Sequence, residues 1–300
     1  MKKILVTGAS GYIGKNLCRN LIEQGFEVIG SVRTSEAARN LPETVEPFIT
    51  GNIDGSTDWS SALKNVESVV HLAAIVHKKE DNSATAADLY KKINVEATAN
   101  LARQTLMKDV NSFVFLSSAA VYGLDSTQEP LTIDSPINPK TLYGHSKWEA
   151  EQELVSIFRS TKASLTIFRP TMVYGPQAPG NFARLTEIAK SGIPLPIGSI
   201  NNRRFFVSIE KLVSLIVEEI QMKKPGIQVC FACDEYPLST KDLFRLAAGW
   251  EEERARIFPF PPGLLRFFLA FLGKRPEWEK IAGNYIVNKL NRKLHDHSFT

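Results

Sequence analysis

A glycine-rich stretch near the first residue constrains the fold of this chain more than any other feature. It reads VTGASGYIG, from Val6 to Gly14, and it follows directly on an apolar run at positions 4–6. Glycines at positions 8, 11 and 14 permit a tight turn between a strand and a helix, and the N–H groups that open the helix can then bind a phosphate group. The stretch therefore predicts a strand, a turn and a helix placed around the pyrophosphate of a dinucleotide.

The remainder of the first half alternates short apolar runs with helical patterns. Runs such as SVVHLAA, SFVFLSS and SLTIFRP are almost continuously apolar, and stretches such as INVEATANLARQTL separate them. Strands of this composition are typical of a parallel sheet that helices cover on both faces. We predict an α/β fold, with a Rossmann-type doubly wound parallel sheet over residues 1–175 and a smaller, mostly helical substrate-binding region over residues 176–300.

Charge and the lengths of the apolar runs exclude several classes of function. The 300 residues carry a net charge of +4 without any block of Lys or Arg, which argues against nucleic-acid binding. The first apolar run is too short for a signal peptide, and PGLLRFFLAFLG (262–273) is too short to span a bilayer. We expect a cytoplasmic protein without a membrane span, in which a buried or interfacial position for the second run is favoured over membrane contact.

Two of the three cysteines form a lone C-x-x-C motif, at Cys230 and Cys233. A metal site of this type needs a second pair of ligands, and the sequence offers none. The motif lies in an apolar, strand-like run, where a period of two points the thiols to opposite faces. We therefore predict a structural role for both cysteines and no metal ion.

The stretch LYGHSK (142–147) holds the main candidates for chemistry. Tyr143 and Lys147 are four residues apart, which places them on one face of a helix. Ser118 ends the predicted fifth strand, and ligands bind at the carboxyl ends of parallel strands. A phenol beside an ammonium can be an ordinary surface pair, or it can be a phenol whose pKa is lowered so that it acts as a base near neutral pH, so Tyr143 and Lys147 are candidate catalytic residues. His145, between them, is expected to be exposed or to contact another helix.

These motifs resemble the extended short-chain dehydrogenase/reductase family, in its NAD-dependent epimerase/dehydratase type. The Tyr-x-x-x-Lys pair, the three-residue glycine spacing, HLAA at 71–74 and RPTMVYGP at 169–176 carry the resemblance. It implies that Lys147 holds the cofactor ribose and favours the phenolate of Tyr143. Tyr143 then exchanges a proton with a sugar hydroxyl that Ser118 orients, while hydride moves to or from a nicotinamide.

The resemblance also implies a set of contacts to the dinucleotide, made by the glycine loop and by the ends of several strands. Besides Tyr143 and Lys147, these residues are Gly8, Ser10, Gly11, Tyr12, Ile13, Gly14, Arg33, Asn52, Ile53, Leu72, Ala73, Ala74, Asn94 and Pro170. Enzymes that prefer NAD usually have an acidic residue at the end of the second strand, where this chain has Val32 followed by Arg33. A guanidinium can pair with a 2′-phosphate, so NADP(H) is the expected cofactor, with NAD(H) as the alternative.

The residues after Ser118 narrow the reaction that the resemblance implies. Sugar-nucleotide dehydratases and the related decarboxylases carry acidic groups where this chain has Ala119 and Ala120, so both are disfavoured. SSAAVYG resembles the UDP-hexose 4-epimerases, and the whole chain resembles the subgroup that includes 4-ketoreductases of UDP-N-acetyl-6-deoxyhexoses, enzymes of surface-polysaccharide synthesis. The expected function is hydride transfer at C4 of a UDP-hexose, as a 4-ketoreductase or a 4-epimerase. The implied substrate contacts are Ser118, Ala119, Tyr143, Asn181 and Arg204.

Two further functions and one assembly remain open at this stage. A reductase of a non-sugar ketone belongs to the same family, and a catalytically silent dinucleotide-binding regulator belongs to another class. The regulator is disfavoured because Ser118, Tyr143 and Lys147 are all present. The resemblance also implies a homodimer, in which NVEATANLARQ (94–104) and SKWEAEQEL (146–154) from two chains form a four-helix interface.

Overall fold

The computed structural model of this chain describes residues 2–76, 84–222, 224–250, 254–288 and 293–295. Within them, eight strands form a central sheet and two more form a separate parallel pair, β7 with β8. The strands are β1 (Lys3–Thr7), β2 (Glu27–Val32), β3 (Glu46–Ile49), β4 (Val66–His71), β5 (Ser112–Leu116), β6 (Ser164–Pro170), β7 (Met172–Tyr174), β8 (Phe206–Ser208), β9 (Gly226–Ala232) and β10 (Lys293–His295).

The order of the central sheet is β3-β2-β1-β4-β5-β6-β9-β10. Every neighbouring pair is parallel except β9 with β10, which is antiparallel. The chain builds outward from β1 in one direction and then, from β4, in the other, so the direction of winding reverses between these two strands. Ligands of such sheets bind at the carboxyl ends of the strands beside this reversal. The predicted Rossmann-type fold is confirmed.

Helices connect most of the parallel strands. They are α1 (Tyr12–Glu23), α2 (Ser35–Ala38), α3 (Ala84–Tyr90), α4 (Ala97–Met107), α5 (Leu142–Phe158), α6 (Asn181–Lys190), α7 (Ile209–Met222), α8 (Thr240–Gly249), α9 (Pro262–Phe271) and α10 (Arg275–Ala282). A π-helical segment, Lys91–Glu96, joins α3 to α4, and a 3₁₀ turn, Ala119–Tyr122, follows β5.

Two apolar clusters hold the helices against the two faces of the sheet. On one face, Leu17 of α1 and Leu212 of α7 pack with Val6 of β1. On the other, Leu101 of α4 and Leu154 of α5 pack with the remaining side chains of the same strands. Burial on both faces explains why the strands are apolar almost throughout.

The two cysteines of the C-x-x-C motif belong to different clusters. Cys230 lies in the cluster on the α1 and α7 face, and Cys233 lies in the cluster on the α4 and α5 face. Both side chains are buried. The prediction that the thiols point to opposite faces is confirmed, and the described residues contain no group of three or more His, Cys, Asp and Glu placed to hold a metal ion.

The second half of the chain contributes to the sheet as well as to a smaller helical region. α6 and α8 pack together over a third apolar cluster, which includes Phe182, Phe206 and Leu243. Between these two helices the chain returns to the central sheet, where α7 covers one face and β9 pairs with β6. The division into residues 1–175 and 176–300 is therefore a proposal about which ligand each segment binds, and not a division of the sheet.

The apolar run at 262–273 forms α9, and of the two positions expected for it, buried or interfacial, the buried one is wrong. All ten residues of α9 are described, and none of them is buried. Leu265 and Leu269 are half-buried, while the larger aromatic residues of the helix are exposed. None of the helices in the described part of the chain has the length and apolar character needed to cross a bilayer.

Candidate active site

The glycine loop joins β1 to α1 at the reversal point of the sheet. Gly8 has φ of +68°, and a Cβ there would lie 2.9 Å from the backbone nitrogen of Ala73. A Cβ on Gly14 would lie 2.3 Å from the carbonyl oxygen of Gly8, so the first turn of α1 can pack on the loop only because position 14 has no side chain. The first and third glycines are therefore required by geometry.

The first turn of α1 is suited to an anion. Gly11 is the N-cap residue and supplies no side-chain hydrogen bond, and the turn contains no acidic residue. The N–H groups at the start of a helix have no partner within the helix, and the helix dipole favours a negative charge there. A pyrophosphate fits this place, beside the loop Gly8–Gly14.

A chain of buried hydrogen bonds joins the loop to the next strand. The hydroxyl of Thr98 donates to the carbonyl oxygen of Asn94 at 2.7 Å, so it accepts from Nε2 of His71 at 2.8 Å. His71 Nδ1 then accepts from the hydroxyl of Thr7 at 2.7 Å, and that oxygen accepts from the N–H groups of Leu72 and Ala73 at 3.2 Å each. Burial lowers the pKa of His71 to about 3, which keeps the ring neutral.

Asn94 lies in the π-helical segment and connects three parts of the site. Its Oδ1 accepts from the backbone nitrogen of Ile75 at 2.8 Å, and its Nδ2 donates to the carbonyl oxygen of Ile75 at 3.0 Å. Nδ2 also donates to Oγ of Ser146 at 2.9 Å, one turn from Tyr143 on α5. Asn94 therefore positions the loop after β4 and helix α5, and π-helical turns of this kind are frequent at functional sites.

Ser118 and Tyr143 come together at the carboxyl end of β5. Thr141 caps α5 by accepting a hydrogen bond from the backbone nitrogen of Gly144 at 3.0 Å, which places Tyr143 in the first turn of the helix. Although part of the Tyr143 side chain is exposed, burial of its hydroxyl end raises its pKa to about 12, and the nearby hydroxyl of Ser118 only partly offsets this effect.

The raised pKa of Tyr143 differs from the expectation that Lys147 favours the phenolate. Lys147 Nζ donates to the carbonyl oxygen of Leu116 at 2.8 Å and lies 6.0 Å from the centre of the Tyr143 ring. It also lies 4.5 Å from the centre of the Phe115 ring. Burial lowers the pKa of Lys147 to about 7, while the nearby Glu151 carboxylate acts in the opposite direction. In this state Tyr143 is a neutral phenol.

A buried ion pair behind Lys147 is the main feature that the sequence analysis missed. Glu151, four residues after Lys147 on α5, accepts from Nη2 of Arg169 at 2.6 Å and from Nε at 3.1 and 3.2 Å. Ser117 donates to the same carboxylate, and Arg169 Nη1 donates to the hydroxyl of Tyr122 at 2.5 Å. The signal was present, because positions 143, 147 and 151 share one helical face.

The other predicted cofactor residues lie at the same edge of the sheet, and their exposure differs. Arg33 follows the last residue of β2 and is exposed, and Asn52, beyond β3, is exposed as well. Ile53 belongs to the core cluster on the α4 and α5 face, and Pro170, the last residue of β6, is buried. Ser10, Tyr12 and Ile13 are part-buried in the glycine loop and the first turn of α1, and Ala74 is part-buried just after β4.

The predicted substrate residues are more dispersed. Asn181 is exposed and is the first residue of α6, so the unpaired N–H groups of a helix start lie beside it. Ala119 is buried in the core cluster behind Ser118. His145, for which no chemical role was expected, is exposed.

Arg204 has backbone partners already. Its Nη1 donates to the carbonyl oxygens of Gly283 at 2.8 Å and Glu279 at 3.2 Å, and its Nη2 donates to that of Asp125 at 3.0 Å. The guanidinium also lies 5.6 Å from the centre of the Tyr285 ring. Arg204 therefore joins the segment after α10 to the loop beyond the 3₁₀ turn, and its role toward a diphosphate stays a prediction.

Several known proteins are similar to this chain. The sequence profile of the NAD dependent epimerase/dehydratase family matches residues 4–229. A UDP-glucose 4-epimerase of Vibrio cholerae is 36% identical over 290 residues, which are 96% of this chain and 87% of that protein. The N-acetyl-alpha-D-glucosaminyl-diphospho-ditrans,octacis-undecaprenol 4-epimerase of Escherichia coli O157:H7 is 28% identical over 268 residues, 87% of this chain and 77% of that protein.

One solved structure allows the same comparison in three dimensions. MoeE5 in complex with UDP-glucuronic acid and NAD superposes on this chain with a TM-score of 0.69 and 25% sequence identity. The superposition covers 86% of this chain and 85% of that one.

Proposed function

Because this chain belongs to the NAD dependent epimerase/dehydratase family, we propose that it is an enzyme that transfers hydride at C4 of a UDP-hexose with a nicotinamide dinucleotide. One observation carries the proposal: Ser118, Tyr143 and, one turn further along α5, Lys147 lie together at the sheet edge that carries the glycine loop. The similar proteins include UDP-sugar 4-epimerases and a complex with NAD and a UDP-sugar.

The proposed roles follow from the state of each side chain. A bound nicotinamide would supply the hydride acceptor in one direction and the hydride donor in the other. Tyr143, a neutral phenol in this structure, gives its proton to the oxygen at C4 when a ketone is reduced, and Ser118 holds that oxygen. In this proposal Lys147 binds the cofactor ribose, and the ion pair of Glu151 and Arg169 fixes the helix behind it.

Epimerase activity is favoured over ketoreductase activity within this proposal, because both curated relatives described above are 4-epimerases. A 4-epimerase returns its hydride to the same sugar, and a ketoreductase consumes reduced cofactor. The test is incubation of the purified protein with UDP-hexoses and, separately, with UDP-4-keto-sugars and NADH or NADPH, with NMR of the products. Interconversion of C4 epimers without net cofactor oxidation supports the epimerase. If the protein turns over neither class of substrate, the proposal is contradicted.

The choice between NAD(H) and NADP(H) is a finer proposal that depends on Arg33. Arg33 is exposed directly after the buried Val32, where an acidic residue would repel a 2′-phosphate. We expect Arg33→Ala to weaken NADPH binding by about tenfold and to leave NADH binding unchanged, because only the 2′-phosphate pairs with the guanidinium. Titration of cofactor fluorescence measures both affinities.

Arg39→Ala is the matched control for this prediction, since Arg39 is also exposed and six positions further along the chain. It should leave both affinities unchanged. Tighter binding of NAD(H) than of NADP(H) by the wild type would overturn the NADP(H) proposal, and would agree with the NAD found in the complex of MoeE5.

The diphosphate of the substrate is proposed to contact Asn181 and Arg204. We expect Arg204→Ala to weaken UDP binding by about 10- to 150-fold, the usual effect of losing a charge-assisted contact, while NAD(P)(H) affinity stays unchanged. Calorimetric titration with UDP measures the first affinity, and titration with the dinucleotide is the internal control.

The backbone contacts of Arg204 make a purely structural role the competing explanation. A lower melting temperature with unchanged UDP affinity would favour that explanation. Arg203→Ala is the matched variant, because Arg203 is its exposed neighbour. A larger loss of UDP affinity in Arg203→Ala would transfer the proposed role to Arg203.

Further proposals concern the location of the protein, its metabolic role, the ligand of each segment and its assembly. We place the protein in the cytoplasm, in the synthesis of sugar nucleotides for polysaccharides, with residues 1–175 binding the dinucleotide and 176–300 the nucleotide sugar. We propose a homodimer through α4 and α5, which light scattering tests. A reductase of a non-sugar ketone and a silent regulator remain as alternatives, and the substrate panel above discriminates them.

A further inference from the structure

Helix α9 carries an apolar stripe that faces away from the protein. Its residues recur at the spacing i, i+3, i+4, i+7 and i+8, which in a globular protein marks the face turned to the core. Here that face is turned outward, since the exposed fractions of its side chains are large: Leu264 52%, Phe267 64%, Phe268 51%, Phe271 81% and Leu272 64%. Leu265 and Leu269, on the other side, are half-buried.

The stripe belongs to a wider aromatic patch. The ring centres of Phe267 and Phe268 are 6.1 Å apart, and those of Phe268 and Phe260 are 6.5 Å apart. Phe260 in turn lies 6.3 Å from Phe258, which is exposed as well. A contiguous patch of this kind marks an interaction surface, whereas exposed apolar residues that occur singly need no explanation.

The charges around the patch are mainly basic. Arg266, Lys274 and Arg275 are exposed, and α9 itself contains no acidic residue. Arg266 and Arg275 line one surface groove together with the half-buried Trp278 and with one acidic residue, Glu279. Phe and Leu side chains bordered by basic residues and a tryptophan are the composition of helices that lie in the surface of an anionic bilayer.

We propose that α9 docks this protein on an anionic lipid surface, with the stripe Leu264, Phe267, Phe268, Phe271 and Leu272 entering the interface and Arg266, Lys274 and Arg275 contacting lipid phosphates. The charges argue against a second copy as the occupant. A two-fold contact of the stripe with itself would bring two sets of basic residues together. The proposal goes beyond the enzymatic function and does not depend on it.

The docking helix is joined to the region proposed to bind the substrate. α10 packs against α9, and the segment that follows α10 is held by side chains of the loop before β8. Asn202 Nδ2 donates to the carbonyl oxygens of Ile281 at 3.1 Å and Gly283 at 3.0 Å, and Arg204 donates to Gly283 at 2.8 Å. Docking through α9 therefore turns the C-terminal region of the enzyme toward the lipid.

The test is co-sedimentation of the full chain with vesicles of phosphatidylcholine alone or mixed with phosphatidylglycerol. We expect sedimentation with the mixed vesicles, weakened by added salt. The double variant Phe267→Ser with Phe271→Ser should reduce vesicle affinity at least about tenfold, because these are the two most exposed aromatic side chains of the stripe. The triple variant Arg266→Ala, Lys274→Ala and Arg275→Ala should bind the mixed vesicles more weakly than the wild type does. Its behaviour with vesicles of phosphatidylcholine alone should be that of the wild type. Ile193→Ser, an exposed apolar residue elsewhere, is the matched control and should bind as the wild type does.

Three results would overturn the proposal. One is absence of sedimentation with either vesicle, and another is a double variant that sediments like the wild type. The third is light scattering that shows larger assemblies of the wild type without vesicles, dissociated in the double variant, since a second copy would then cover the stripe. Turnover of a UDP-sugar in the absence of vesicles should be the same in the double variant and the wild type, so this result and the proposed enzymatic function fail or succeed separately.

Discussion

Replacing Tyr143 with phenylalanine is expected to lower kcat by about 10²-fold or more, the usual contribution of a positioned proton donor. The ring stays and only the hydroxyl near Ser118 is lost, so the fold and the dinucleotide affinity should stay unchanged. Steady-state kinetics with the substrate identified by the product panel gives kcat, and cofactor titration gives the affinity. The conclusion that Tyr143 moves the proton would not survive near-wild-type turnover.

Tyr236→Phe is the matched control for this substitution. It removes the same hydroxyl group from an exposed tyrosine outside the site, so turnover should not change. A comparable loss of kcat in this variant would indicate that the assay responds to stability and not to proton transfer.

Replacing Arg169 with methionine is expected to lower the free energy of unfolding by about 3–5 kcal/mol, because the change leaves the carboxylate of Glu151 buried without its partner. The two side chains are 4% and 2% exposed, and their closest atoms are 2.6 Å apart. Urea denaturation measures the loss.

The surface pair Arg103 and Glu153 provides the comparison. Their closest atoms are 3.4 Å apart and both side chains are about half exposed. Arg103→Met should therefore change the free energy of unfolding by no more than about 1 kcal/mol. The double variant Arg169→Met with Glu151→Leu should recover part of the stability, because it removes the buried charge as well. Equal losses of the free energy of unfolding in Arg103→Met and Arg169→Met would contradict the conclusion that burial determines the cost of breaking an ion pair.

The parts of the site that could be predicted from the sequence are those in which local spacing determines geometry. The glycines at 8, 11 and 14 are three residues apart and act within one turn, and Tyr143 and Lys147 share a helical face whatever else surrounds them. The alternation of apolar strands with helices likewise predicts the parallel sheet, because the apolar composition of each segment indicates how much of it is buried.

The parts that could not be predicted depend on contacts between distant segments. The partners of Arg204 come from Asp125 and from residues 279–283, which are far away in sequence. No spacing of residue types in the sequence predicts these contacts. The pKa of Tyr143 depends on how deeply its hydroxyl is buried, which the sequence does not specify. The exposure of α9 could not be predicted because its amphipathic pattern is the same whether the apolar face meets a core or a lipid.

Residues 84–107 form one continuous helical segment. Its π-helical part, Lys91–Glu96, rotates the side chains that follow it relative to those that precede it. An α-helix turns about 100° with each residue, so all of its side chains keep one fixed angular relation. A turn with i→i+5 bonding takes up an extra residue and breaks that relation. α4 can therefore keep its packing against α5 while Asn94 faces Ile75 and Ser146. Deleting a single residue from the π-helical part would restore the regular rotation, and the helical segment could then satisfy either the packing of α4 or the contacts of Asn94, but not both.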